Sequence, residues 1–251
     1  MTVLRAPPPP ILCRMAMSPD DVAACQALRY ACFHGGAGLD VDHFDTLSDH
    51  VMIEREGVLV CTLRLRILPD GADFSETYTG GFYDFGPLPG PTIEVGRFCV
   101  AHGAFSSDVL RLAWAAITQR VDANHITHLF GCASFAGTDP VAYADAFGVL
   151  QAKHLGRMTI VPKTADNTNF SDIIAAENDP RRALQQMPPL LRSYLGMGGY
   201  VSDHLVVDHT LGTLHVFTGL DIAAIPAARV RSLRALAAQT QGLHMGPLRT
   251  T

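Results

Sequence analysis

No stretch of about 18 uncharged apolar residues occurs in the 251-residue sequence, so no membrane-spanning helix is expected. There is no C-x-x-C pair either. The six cysteines stand at 13, 25, 32, 61, 99 and 132, mostly within apolar runs, which fits buried free thiols in a reducing compartment better than disulfides or zinc. His125 and His128 have no Cys or carboxylate partner at ligand spacing, so no metal is expected. Positive charge is not in surplus, and the net −5 argues against a nucleic-acid binder. The opening "MTVLRAPPPPILCRM" lacks an apolar core segment, so a secretory signal is not expected. Internal repeats and low-complexity linkers are missing as well. These absences leave a cytoplasmic chain, with peripheral attachment to the cytoplasmic (inner-leaflet) membrane face as an open alternative.

What is present is enough apolar sequence, 48%, for a sizeable core. Charge is uneven along it. From Arg181 onward there are seven arginines and three aspartates, a net +4 against −9 for the remainder. That basic third suits an acidic protein or an anionic membrane surface, or it is a solvated helix face. Residues 1–17 read as an extended arm with polyproline at 7–10. Ser18, Pro19, Asp20 and Asp21 then begin a helix ending at Gly35-Gly36. A hairpin with its turn at Glu56-Gly57 follows, its second strand placing Val60, Thr62, Arg64 and Arg66 on one face. Residues 69–91 read as a long loop. A strand over 92–100, a helix capped by Ser106 or Ser107, the strand "ITHLFGCASF" and a helix around 140–155 come next. "MPPLLRSYLGMGG" is a short helix, two strands turn near His209–Gly212, and "IPAARVRSLRALAAQ" is a basic amphipathic helix. The order predicts an α/β protein, a mixed central sheet flanked by helices with a basic helix at its C-terminus. Its expected divisions are an arm over 1–17, a domain over 18–225, and a helix and tail over 226–251.

The strand "TIEVGRFCV" (92–100) carries two charges in an apolar setting, Glu94 and Arg97. Ionised groups are rarely buried without partners. In strict alternation the two face opposite ways. A β-bulge within 95–99, at Gly96, inserts one residue and returns them to one face. A carboxylate among apolar neighbours holds protons more readily and suits a general base, while a purely structural ion pair with Arg97 or Arg64 is the competing role.

"LRYACF", "DVDHFD", "TLRLRIL", "EVGRFCV", "LFGCASFAGTDP" and "PPLLRSYLGMGGYVSDHLVVDHTLGTLHVF" occur in that order. Together they resemble the acyl-carrier-protein-dependent L-ornithine N-acyltransferases of ornithine lipid synthesis, a GNAT-fold family similar to the acyl-homoserine-lactone synthases. The resemblance covers about residues 20–220. It implies a GNAT acyl-CoA N-acyltransferase-like fold with a bulged central strand. It also implies transfer of a 3-hydroxyacyl chain from the phosphopantetheine thioester of acyl carrier protein to the α-amine of an amino acid, ornithine first. No resident cofactor is implied, since the carrier delivers the acyl group.

The resemblance further implies that Arg29, Phe33, Asp42, Asp45, Arg64, Glu94 and Arg97 carry the polar and aromatic residues the two families share, with Glu94 as base or substrate anchor and the others at the substrate. Arg29 and Arg97 are candidates for the acceptor carboxylate, Arg29 equally for capping a buried loop carboxylate. Asp42, Asp45 and Arg64 either bind the amino acid or pin an acidic loop to the sheet. Ser134 and Asp139 fall just past a strand, where α/β ligands bind. Gly103, Ser106 and Ser107 are expected to receive the pantetheine phosphate at a helix N-terminus, although Phe105 stands where the family more often has a basic residue. Tyr194 is either core or proton donor to the leaving thiolate. Carrier-protein docking falls to Arg181, Arg182, Arg192 or the Arg229/Arg231/Arg234 face. The alternatives are another acceptor such as glutamine or glycine, a lactone synthase using S-adenosylmethionine, and a non-catalytic binding module for carrier protein or membrane.

Overall fold

A computed structural model describes residues 11–174 and 179–239. The first described residues are not an arm. Ile11–Met15 forms strand β1, antiparallel to β2 (Asp49–Arg55), and buries Cys13 and Met15. Its alternation of buried and exposed side chains makes it a half-buried edge strand. The expected boundary at residue 17 therefore gives way to a strand that belongs to the sheet. Residues 1–10 and 240–251 lie outside the described residues.

Helix α1 (Pro19–Phe33) starts on a reciprocal capping box between Ser18 and Asp21. The hairpin of β2 and β3 (Val58–Leu68) turns at Glu56 and Gly57, both at positive φ, 53° and 77°. That pair of left-handed residues is what a tight two-residue turn requires, and glycine supplies one at no steric cost. The expected loop 69–91 is more ordered than its composition suggests. It contains the short helix α2 (Tyr78–Phe82) and the strand β4 (Tyr83–Asp84).

Next come β5 (Thr92–Val100), α3 (Ser107–Ala123), β6 (His128–Ala136), α4 (Ala144–Lys153), β7 (Val161–Pro162) and β8 (Asn167–Asn169). The chain continues through α5 (Pro180–Gln186), α6 (Pro189–Leu195), β9 (Tyr200–Val201), β10 (His204–Asp208), β11 (Thr213–Asp221) and α7 (Ala227–Gln239). Among the described residues the main sheet has nine strands, in the order β1-β2-β3-β5-β6-β11-β10-β8 with β9 beside β11. Its neighbours pair antiparallel, except β5 and β6, which run parallel.

The core has three parts. One lies under β1, β2, β3 and β5, with Val109, Ala113, Trp114 and Ile117 of α3 packed on it. A second joins β6, β10 and β11 to Phe147 and Leu150 of α4 and Leu191 of α6. The third is aromatic: Tyr83 and Phe85 from the 69–91 segment pack on Phe130 and Phe217. Helix α7 lies on α3, with Leu233 against the first cluster and Arg234 in a forked pair with Asp122. The basic C-terminal helix is thus part of the fold.

Candidate active site

The site exists because two parallel strands part company. β5 and β6 pair from Thr92/His128 only as far as Val95/Gly131, and both then continue without pairing each other. Gly131 stands at the last pair. A Cβ there would lie 2.3 Å from the Val95 carbonyl oxygen, so only glycine allows this close approach. Beyond it opens a cavity of about 460 Å³. Val95 to Phe98 line one wall and Cys132 to Ala136 the other. Pro188 to Leu191 and Tyr194 of the α6 region close it, and Phe33 stands at the end of α1.

A bulge lies within 95–99, as the sequence predicts, but its geometry differs. Arg64 pairs with Gly96 and Thr62 with Cys99, so Leu63 alone faces two residues, 97 and 98. The left-handed residue is Arg97, at φ 51°, not Gly96. A non-glycine residue there carries backbone strain, which the surrounding contacts hold in place. Gly96 needs no special conformation, and a Cβ on it would meet nothing within 4 Å.

Glu94 is buried, lines the cavity, and accepts a hydrogen bond at 2.7 Å from the Thr79 backbone N–H through Oε1. No ion pair between Glu94 and an arginine is found among the described residues. Glu94 and Arg97 share the cavity without joining each other. Arg97 instead donates through Nε to Asp40 at 3.0 Å and through Nη2 to Asp42 at 3.1 Å, and its guanidinium lies 4.6 Å from the centre of the Tyr78 ring.

Arg29 does not face the cavity. It is fully buried, with Nε on Asp40 at 2.8 Å and Nη1 and Nη2 on the two Asp45 oxygens at 2.8 and 3.1 Å. Its fork is saturated by protein carboxylates, so the expected contact with an acceptor carboxylate is replaced by the capping role. Asp42 and Asp45 likewise stay off the cavity wall. They form the reciprocal capping box of the short turn His43–Leu47 and both accept from Arg64. Burial works against the Asp45 carboxylate, but Arg29, Gln26 and Arg64 hold its carboxyl well below the usual range. Of the two readings of this cluster, the structure gives the one that pins the acidic loop to the sheet. Only Arg64 of the three also lines the cavity.

Phe33 and Ser134 do line it. Asp139 does not: it is exposed and caps the turn Pro140–Tyr143 by accepting from Val141 N–H. Gly103, Ser106 and Ser107 stand at the start of α3, off the cavity wall, and Ser106 Oγ accepts from Val109 N–H and from Arg55 at 3.1 Å. Phe105 is exposed. Tyr194 borders the cavity, yet its hydroxyl is buried with no hydrogen-bond partner among the described residues, and burial pushes its ionisation well up. Of the arginines expected to dock a partner, Arg182 pairs with Asp145, Arg234 with Asp122, and Arg192 donates to the Leu184 carbonyl.

Four further residues matter here. Asp40 bridges Arg29 and Arg97 from inside the "DVDHFD" run. Tyr78 lies under Arg97 and donates to Asp208. Thr79 holds Glu94 through its backbone, which no side-chain pattern reveals. Arg66 lines the cavity directly across from Glu94 in the β3–β5 register. Its signal was the alternation of "TLRLR", which puts it on the face of Arg64.

A parallel pair that splays over a bulged central strand, with a buried carboxylate in the opening, defines a GNAT-type acyltransferase. Residues 28–115 match the acetyltransferase (GNAT) domain family. The sequence is 32% identical over 234 residues to an L-ornithine N(alpha)-acyltransferase of Rhodobacter capsulatus, covering 84% of this chain and 90% of the relative. It is 30% identical over 244 residues to the L-ornithine N(alpha)-acyltransferase of Rhizobium meliloti, covering 84% and 80%. Among solved structures, FeeM, an N-acyl amino acid synthase from uncultured soil microbes, aligns over 94% of this chain and 99% of its own at 13% identity and TM-score 0.47. The chain belongs to the L-ornithine N(alpha)-acyltransferase family.

Proposed function

We propose that the protein transfers a 3-hydroxyacyl chain from the phosphopantetheine thioester of acyl carrier protein to the α-amine of ornithine. The observation that carries this is Glu94: a buried carboxylate fixed by one backbone N–H, in the wall of a largely apolar cleft, beside the point where β5 and β6 separate.

The acceptor arrives as an ammonium ion. Glu94 takes one proton, directly or through a water, and the freed nitrogen attacks the thioester carbonyl carbon. As the C–N bond forms, the carbonyl electrons move onto oxygen. The β5 edge toward β6 has no ladder partner beyond Val95, so its backbone N–H groups are placed to receive that charge. Collapse restores the carbonyl, breaks the C–S bond and releases the pantetheine thiolate, which takes the second proton lost by the nitrogen as it becomes a neutral amide. The splay admits the pantetheine arm, and Phe33, Phe98, Leu190 and Leu191 supply an apolar bed for the acyl chain. The carrier brings its own prosthetic group, so no resident cofactor or metal enters the scheme. Arg181, Arg229 and Arg231 remain as contacts for an acidic carrier or an anionic membrane surface.

Glu94→Gln tests the reading. General-base catalysis is worth typically ~10²–10⁴-fold, so kcat with 3-hydroxyacyl carrier protein and ornithine falls by at least about 10²-fold, with little change in KM for the donor. Full turnover by the variant removes the base. Mass spectrometry of lipids from cells expressing the chain reports the acceptor through the head-group mass.

A further inference from the structure

Three guanidinium groups stand in the cavity wall, those of Arg64, Arg66 and Arg97. Two are occupied by carboxylates: Arg64 by Asp42 and Asp45, Arg97 by Asp40 and Asp42. Arg66 has no carboxylate partner among the described residues. One of its N–H groups donates to the Glu76 carbonyl, and Phe44 lies 5.6 Å from its guanidinium carbon. These contacts position the head group and leave most of its five donors free.

Arg66 is also the cross-strand partner of Glu94. Directly opposed residues share a face with their Cβ atoms about 5 Å apart. Opposite charges so placed ordinarily join. Here Glu94 is drawn to Thr79 N–H and Arg66 to Glu76 and Phe44, so the two stand side by side on the cavity wall without an ion pair. An α-amino acid carries its amine and carboxylate on one carbon, which suits a neighbouring anion and cation.

We propose that Arg66 is the anchor for the acceptor's α-carboxylate, so that the Arg66–Glu94 cross-strand pair reads the head of an α-amino acid and selects it over a simple amine. The inference rests on the transfer reaction proposed above and adds the source of its acceptor selectivity. A guanidinium grips a carboxylate through two parallel N–H···O bonds, which fixes direction as well as charge. With the carboxylate on Arg66, the α-amine is held at Glu94 and the side chain points away from the reacting atoms.

The experiment compares ornithine with putrescine, the same carbon chain without the carboxylate, using the full-length protein and 3-hydroxyacyl carrier protein. Wild type favours ornithine by about 10²-fold in kcat/KM, the scale of a charge-assisted pair. Arg66→Gln raises KM for ornithine by a similar factor, moves kcat only a few-fold, and brings the ornithine-to-putrescine ratio toward unity. Arg66→Lys, which keeps the charge but not the fork, recovers part of the ratio. Thermal midpoints of both variants check that they fold.

A wild type that does not distinguish the two amines overturns the inference. So does an Arg66→Gln loss that is equal for both, or one that appears in the donor KM. Failure of the transfer reading is separate. It appears as Glu94→Gln turning over normally, while the stabilisation of wild type and Arg66→Gln by ornithine alone still reports whether Arg66 holds the carboxylate.

Discussion

Asp45 shows how burial and pairing pull one carboxyl group in opposite directions. It is about 5% exposed, which disfavours its charge, yet it accepts from Gln26, Arg29 and Arg64. The hydrogen bonds win, and its carboxyl is held below the ordinary value. A carboxyl depressed in the folded state adds stability that is complete above the unfolded value of about 3.9 and is lost as pH falls from there toward the folded value. Asp45→Asn leaves two buried guanidinium groups short of an anion, so it lowers stability by about 3–5 kcal/mol at neutral pH. Urea unfolding at pH 6 and again near pH 3 checks the sign: the gap between wild type and variant narrows in acid. The same balance explains why the cluster is scaffold. Arg29 has its Nε, Nη1 and Nη2 all on protein oxygens, whereas Arg66 has no carboxylate partner among the described residues.

At the scale of elements, the cleft depends on where β5 and β6 stop pairing. Gly131 and Gly96 are both glycines on these strands, but they differ physically. Gly131→Ala drives a methyl to 2.3 Å from the Val95 carbonyl oxygen, and overpacking of this kind costs about 1–3 kcal/mol. Gly96→Ala meets nothing within 4 Å at an ordinary φ, so its unfolding free energy from urea titration stays within about 0.5 kcal/mol of wild type. Equal midpoints for the two variants contradict this account of the splay. The bulge itself is held at Arg97, whose left-handed backbone is fixed by Asp40, Asp42 and the Tyr78 ring. The acidic run 40–45 therefore holds Arg97 of the central strand through Asp40 and Asp42, without lining the cavity.

Among the described residues a nine-stranded sheet runs through the molecule, and its first strand is supplied by Ile11–Met15. Deleting 1–17 removes β1, the burial of Cys13 and Met15, and the bridge from Arg14 to Glu54 and Asp21. Burying a side chain such as methionine is worth about 1.5–3 kcal/mol. A chain of this size loses roughly 2–4 °C of midpoint per kcal/mol, so thermal melting of the truncated protein falls by about 5 °C or more. An unchanged midpoint contradicts a structural β1. Among the described residues no helix is long and apolar enough to cross a membrane.

Much of this was legible in the linear order. Capping at Ser18, the Glu56-Gly57 turn, the strand periodicities and the short 189–195 helix are local: propensity, caps and turn chemistry act over a few residues. The apolar pattern of 92–100 likewise singled out Glu94 as a charge on a buried strand. What the tertiary structure alone decided is how the charges divide. Arg29, Asp42 and Asp45 carry the same side-chain chemistry as a substrate site, and only their spatial closure into a saturated network with Asp40 makes them scaffold. Thr79 contributes a backbone N–H, which leaves no trace in side-chain identity. β1 needed its partner β2 to become a strand, since an edge strand is stabilised by the ladder it joins. Where a charge finds its partner depends on which strands lie side by side, and that is a property of the folded sheet.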